Sequence, residues 1–137
     1  MSTGAVPYEI AVPVRQEDID ENGHVNNVTY LRWVQDAAVA HWRSLAPEAD
    51  QAKLFWVVLR HEIDYRQPAH LTDEIVARTW VGGASRVRFE RHTEIVCARD
   101  RAVLAAARTV WCPIDVQTGR PAAVSAEVRA IFSVAGA

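Results

Sequence analysis

Between Asn26 and Pro47, apolar or aromatic residues recur at Tyr30, Leu31, Val34, Ala38, Trp42 and Leu45, the spacing of one buried helix face. Asn26 or Asn27 suits the N-cap, because its side-chain oxygen can accept from the free amides of the first turn. Pro47 closes the other end, since it has no amide to donate and disfavours helical geometry before it. The other long stretches alternate with a period of two. The order is therefore strand, long helix, then four strands. Runs of strands without intervening helices argue for an antiparallel α+β domain rather than a parallel α/β one. A helix of about five turns covers only one face of a five-stranded sheet, so the sheet must curl around it.

The strand runs can be placed one by one. From Tyr8 to Val14 the even positions are apolar, and Pro13 on the other face marks an edge or a strand end. Residues Glu48 to Lys53 are polar and read as a connector. Phe55 to Tyr65 sets Val57, Leu59, Ile63 and Tyr65 on one face against Arg60, Glu62 and Asp64, with His61 the exception among the apolar residues. Glu74 to Val81 follows, ended by Gly82 and Gly83. Arg86 to Cys97 alternates best, with Val87, Phe89, Ile95 and Cys97 opposite Arg86, Arg88, Glu90, His92 and Glu94, the mark of a sheet with one covered and one wet face. Ala102 to Cys112 is the last long strand, closed by Pro113. A turn at Thr118 to Pro121 and a Ser125 cap lead into a short amphipathic helix, Ala126 to Phe132, within a C-terminal tail over 120–137. Met1 to Pro7 reads as a flexible lead, and the whole of 1–137 as one domain.

Composition narrows the function classes. A formal charge of −2 gives no electrostatic case for nucleic acid as a partner. Two cysteines, Cys97 and Cys112, are too few and too far apart for a metal motif, and on strands they read as small buried hydrophobes. The start MSTGAVPYEI has neither a basic region nor an apolar run, and no segment is long and apolar enough to span a bilayer. The expectation is a cytoplasmic, reduced compartment without membrane contact. With no HExxH pattern, GxSxG elbow or phosphate loop, no metal and no cofactor are expected.

The stretch with chemistry in it is DIDENGHVNNVTYLRW, from Asp18 to Trp33. Its first half is a polar loop. A carboxylate, Asp20, lies a few residues ahead of a helix N-terminus, where exposed amides favour negative charge. That pairs a base with an anion site. The plain alternative for Asp20 is a loop carboxylate capping a turn. Gly23 is expected at positive φ, turning the chain into the helix. Asp18 reads as a loop or surface carboxylate. His61 reads as a satisfied core histidine.

The run Asp20-Glu21-Asn22-Gly23-His24-Val25-Asn26-Asn27-Val28-Thr29-Tyr30 resembles the hotdog-fold acyl thioesterases of the 4-hydroxybenzoyl-CoA thioesterase-like family. It is also similar to the plant-type acyl-acyl-carrier-protein thioesterases, which share the H-V-N-N run, the Tyr and a Trp matched by Trp33. Ile63-Asp64-Tyr65-Arg66-Gln67-Pro68 and Ser85-Arg86-Val87-Arg88-Phe89 extend the likeness across Tyr8 to Asp115. The resemblance implies a hotdog fold and hydrolysis of an acyl-CoA or acyl-carrier-protein thioester. It implies that Asp20 acts as nucleophile or as general base on water. It sets the oxyanion donor at a backbone amide near Asn27 or Val28, and the plant-type match adds Asn22 and His24. His24 has three open roles: binding the substrate carbonyl, assisting proton transfer, or satisfying buried backbone. The chain departs from the plant type in having one hotdog unit rather than two.

Gly23, Val28 and Tyr30 are expected beside the substrate. Arg86, Arg88, Arg91, Arg99 and Arg101 cluster around the fourth strand. They suit either the phosphates of coenzyme A or phosphopantetheine, with Arg86 and Arg88 foremost, or a solvated strand face interleaved with Glu90 and Glu94. Tyr30, Val34, Val57 and Leu59 suit an aromatic slot or a fatty-acyl tunnel. An exposed sheet edge and the family's habit of joining sheets edge to edge imply a homodimer or tetramer with the site at the subunit boundary. Two other readings remain open: a hotdog hydratase, which product analysis with an enoyl thioester would reveal, and a non-catalytic acyl-thioester binder.

Overall fold

The computed structural model describes residues 6–132. Most of the expected flexible lead (Met1 to Ala5) and the last five positions of the expected tail lie outside them. The elements are β1 (Tyr8–Val12), a short 3-10 turn (Gln16–Asp18), α1 (Asn27–Leu45), α2 (Glu48–Lys53), β2 (Leu54–Tyr65), β3 (Ile75–Ala84), β4 (Phe89–Cys97), β5 (Val103–Asp115) and α3 (Ala126–Ile131). The strands form one antiparallel sheet in the order β1-β3-β4-β5-β2, with α1 packed on β1, β3 and β4. This is the hotdog arrangement of one long helix against a five-stranded sheet.

The helix divides the core into two clusters along its length. Its first half buries Tyr30, Trp33, Val34 and Ala37 against Val12, Ile75, Cys97 and Ala105. Its second half buries Ala38 and Ala46 with Val81, Phe89, Trp111 and Phe132, and Trp42 packs against them. Both cysteines are buried and free, as expected of small hydrophobes. His41 sits on the buried helix face, whereas Leu45 is exposed.

Five local readings need correction. The polar connector Glu48 to Lys53 is a helix. The Pro47 carbonyl accepts from Asp50 and Gln51, Glu48 and Asp50 stand in the first turn and Lys53 in the last, and these charges complement the helix dipole. In β2, the apolar residues do not share one face. A bulge between Val58 and Arg60 inserts Leu59 as an extra residue and reverses the alternation, so Trp56 and Val58 pack inward before it and Ile63 after it. Leu59 itself is 46% exposed.

β3 continues through Gly82 and Gly83, and β5 through Pro113. A Cβ at Gly82 would stand 3.1 Å from the His92 ring, so glycine allows that close approach across the ladder. The Pro113 carbonyl accepts from Ala122 rather than from β2, so the missing proline amide faces away from the β2 ladder. Finally, Arg91 points inward from β4 and is only 8% exposed, not part of a solvated arginine cluster.

Candidate active site

The polar loop before α1 is held by its own short side chains. Ile19 and Val25 form an isolated antiparallel bridge, and the Asp20 amide donates to the His24 carbonyl at 2.8 Å. Gly23 makes the reversal at φ +78°. The half-buried Asp20 uses one carboxylate oxygen, Oδ1, to accept from the amides of Asn22 (2.9 Å) and His24 (3.2 Å). Its Oδ2 accepts from no group among the described residues. Asp18 is not a surface residue: it is 3% exposed and accepts from the Arg15 amide at 2.9 Å and from Arg32 at 3.1 Å. Its carbonyl also takes the Asn26 amide at 2.7 Å.

The helix start then has its amides distributed unequally. Asn26 is the cap, and its Oδ1 accepts from Val28 at 2.9 Å. Thr29 donates to the Asn26 carbonyl at 2.9 Å. The Asn27 amide alone in this first turn has no partner among the described residues, and it lies at the positive end of a 19-residue helix. The end of β2 and the segment after it brace this end. Ala69 accepts from Val25 at 2.8 Å and donates to the Tyr30 hydroxyl at 3.0 Å, while the Tyr65 hydroxyl donates to the Asn27 carbonyl at 3.0 Å. Burial pushes both tyrosine hydroxyls above their ordinary pKa. The rings of His24 and His70 meet edge to face at 5.2 Å.

A sequence profile of the thioesterase-like superfamily matches residues 14–132. The chain belongs to that superfamily. The solved structures agree on the fold of this thioesterase-like chain. It superposes on the PA5185 protein from Pseudomonas aeruginosa with TM-score 0.83 and 22% identity, covering 92% of this chain and 89% of that one. Against a 1,4-dihydroxy-2-naphthoyl-CoA thioesterase from Synechocystis the values are 0.78 and 21%, over 93% and 96%. Against a Thermus thermophilus thioesterase solved with coenzyme A and zinc they are 0.77 and 26%, over 90% of each. No individually curated protein matches the sequence.

In this member of the superfamily, Asp20, Asn22, Gly23, His24, Asn27 and Val28 gather at one end of α1. Val28 is exposed there, but its amide is taken by the cap, which leaves Asn27 as the open donor. Tyr30 belongs to the core beneath the loop, with its hydroxyl engaged. Arg86 and Arg88 do not join them. They are exposed in the β3–β4 turn, at the end of the sheet that packs on the second half of α1. His61 is half-buried and bonded to Thr109 at 2.9 Å, and burial lowers its pKa.

The residue that sequence reasoning missed is Arg91. Its odd-numbered parity with Phe89, Thr93 and Ile95, all buried, was the available signal. Among the described residues no cluster of His, Cys, Asp and Glu suits a metal ion, and no helix is long and apolar enough to cross a membrane.

Proposed function

We propose that this protein hydrolyses an acyl thioester, with an acyl-CoA as the substrate class. The unpartnered Asn27 amide beside Asp20 carries this reading. A thioester carbonyl is already electrophilic and its thiolate leaves readily, so two aids suffice: a carboxylate near the carbonyl carbon and a donor for the oxygen that becomes negative. With Oδ1 of Asp20 held by two amides, Oδ2 stays available. It attacks the carbonyl carbon directly, or it takes a proton from the water that attacks. The Asn27 amide accepts the developing oxyanion, helped by the helix dipole. Collapse of the tetrahedral intermediate expels the thiolate, which takes up a proton. On the direct route the acyl group is left on Asp20 as an anhydride, which a water then hydrolyses to free acid and the restored carboxylate. The superfamily match and the coenzyme A bound in one similar structure support the choice of substrate.

The opposite placement of Arg86 and Arg88 favours a site shared between two chains. β2 is an edge strand bearing Phe55 and Tyr65, both more than two-fifths exposed, and the outward Leu59. Antiparallel pairing of β2 with β2 of a second copy would bring the arginine end of one chain toward the Asp20 end of the other. There the arginines would meet coenzyme A phosphates.

Asp20→Asn is the clean test, because the amide oxygen still accepts from Asn22 and His24 while the base is lost. Thiol release from acyl-CoAs is expected to fall by ~10²-fold or more with the melting temperature unchanged. Turnover within a few-fold of wild type would leave Asp20 as a turn cap and nothing else.

A further inference from the structure

At the far end of α1 from Asp20 lies a cavity of about 450 Å³, bounded by α1, the sheet and α3. That is within the size range of small-molecule sites, roughly 300–1,000 Å³. Its walls are aromatic: Trp42 and Trp56 meet edge to face at 5.3 Å, Trp56 and Phe89 at 5.1 Å, and Trp111 completes the lining. The charged residues that line it are three arginines, Arg43, Arg91 and Arg129, with no Asp or Glu, in a chain whose net charge is −2.

Arg91 is the informative one. Its Nη1 donates to Nδ1 of His41 at 2.9 Å and to Thr79 at 3.1 Å. Among the described residues its Nε and Nη2 have no partner, and none of the ion pairs there includes it. His41 cannot serve as a counter-charge: burial and then the neighbouring Arg91 push it down to about 4, so it is neutral and accepts. Burial pushes the guanidinium down only to about 10, which leaves it charged at neutral pH. An isolated buried charge is costly, and an apolar side chain of similar volume would pack here at less cost. Among the described residues the Nε1 donors of Trp56 and Trp111 are buried without partners. Among the lining side chains donors are in excess, and the one acceptor oxygen is that of the Gln51 amide.

We propose that the cavity binds an organic carboxylate with an apolar body, its carboxylate against the Nε and Nη2 of Arg91 and its body against the tryptophans. Two parallel N–H groups match a carboxylate, and the apolar walls disfavour a fully charged phosphate. Two sources share this chemistry: a free carboxylic acid, and an acyl group with a second carboxylate at its far end. The second source rests on the thioesterase reading above and on its edge-paired dimer, because within one chain the cavity lies at the far end of α1 from Asp20, beyond the reach of a short acyl group.

Binding to the full-length protein, followed by calorimetry and tryptophan fluorescence, would compare octanoate with octanol and phenylpropanoate with phenylpropanol. Each acid is expected to bind at least about tenfold more tightly than its alcohol. Arg91→Met should remove that preference while keeping affinity for the alcohols, and Arg91→Lys should retain part of it. Equal binding of acid and alcohol by the wild type overturns the proposal even if Arg91→Met fails to fold. So does a preference that survives in a folded Arg91→Met.

Thiol release from glutaryl-CoA and pentanoyl-CoA then separates the sources. A glutaryl preference lost in Arg91→Met and reduced in Arg91→Lys assigns the cavity to the acyl group, and acid binding without it assigns the cavity to a free acid. If neither thioester is cleaved, the hydrolase reading falls while the binding comparison still decides the cavity.

Discussion

Two tyrosine hydroxyls brace the start of α1 by bonds of opposite sense, and removing each in turn tests how the candidate site is held. In Tyr30→Phe the ring and its edge-to-face contacts with Trp33 and Tyr65 stay, both at 5.3 Å, but the Ala69 amide loses its acceptor. Ala69 is fully buried, so water cannot replace it. An orphaned buried amide costs about 1–3 kcal/mol. For 137 residues the unfolding entropy is about 0.3 kcal/mol/K, so Tm should fall by roughly 3–10 °C. Tyr65→Phe removes a donor to the Asn27 carbonyl from a residue that is 42% exposed. Solvent can replace that partner, so the loss should stay within about 0.5 kcal/mol. Urea unfolding of both variants, with midpoints compared at constant m, measures the difference. If the two variants lie within 0.5 kcal/mol of each other (roughly the scatter for surface changes), the claim that the Tyr30–Ala69 bond anchors the loop is wrong.

Other consequences follow from the same contacts. Gly23→Ala meets no atom within 4 Å, so its cost is the positive φ alone, about 1–2 kcal/mol in urea unfolding; an unchanged midpoint would contradict it. Asp18→Ala strands the Arg15 amide and unpairs Arg32, and it should lower stability by about 1–3 kcal/mol, against near zero for Glu17→Ala on the exposed side of the same turn. His41 has a folded pKa of about 4 against 6.5 unfolded. Below 6.5 the unfolded chain therefore binds the proton that the folded one refuses, and stability declines from pH 6.5 to about 4, by about 3 kcal/mol in all. His41→Asn keeps an acceptor for Arg91 without titrating and should flatten that slope in unfolding measured across pH. Leu59→Lys on the β2 edge should shift a dimer to monomer by light scattering and lower thiol release while leaving the circular dichroism of the fold intact; a dimer that persists would place the interface elsewhere.

Much of this architecture was legible in residue spacing because burial has a period. The alternation of β4, the Asn26 cap, the Ser125 cap and the positive φ at Gly23 are each local consequences of local chemistry. The failures have a different origin. One inserted residue at Leu59 reverses the faces of β2, and nothing in the run FWVVLRHEIDY distinguishes it from the strand around it. The helix at Glu48–Lys53 has no apolar face to detect; its end charges stabilise it, and its Gln51 side chain donates back to the Arg43 and Ala46 carbonyls at the end of α1. Asp18 reads as a solvated carboxylate until Arg32, fourteen positions away, is folded back onto it. Arg91 was readable by parity and misread by charge.

The misreadings of Asp18 and Arg91 share a cause: the type of a charged residue points to water, when position decides its surroundings. Asp18 and Arg91 lie at opposite ends of α1, whose 19 residues span roughly 28 Å. At one end the buried charge is compensated within the chain, and Asp18 with Arg32 thereby fixes the loop that presents Asp20. At the other end the charge has no counter-ion among the described residues and faces a cavity. A folded chain tolerates the first arrangement for stability alone. The second lowers stability unless a further group completes it. That asymmetry, more than the aromatic lining, marks the far cavity as a binding site in its own right, and an edge-paired dimer would bring the two kinds of end together.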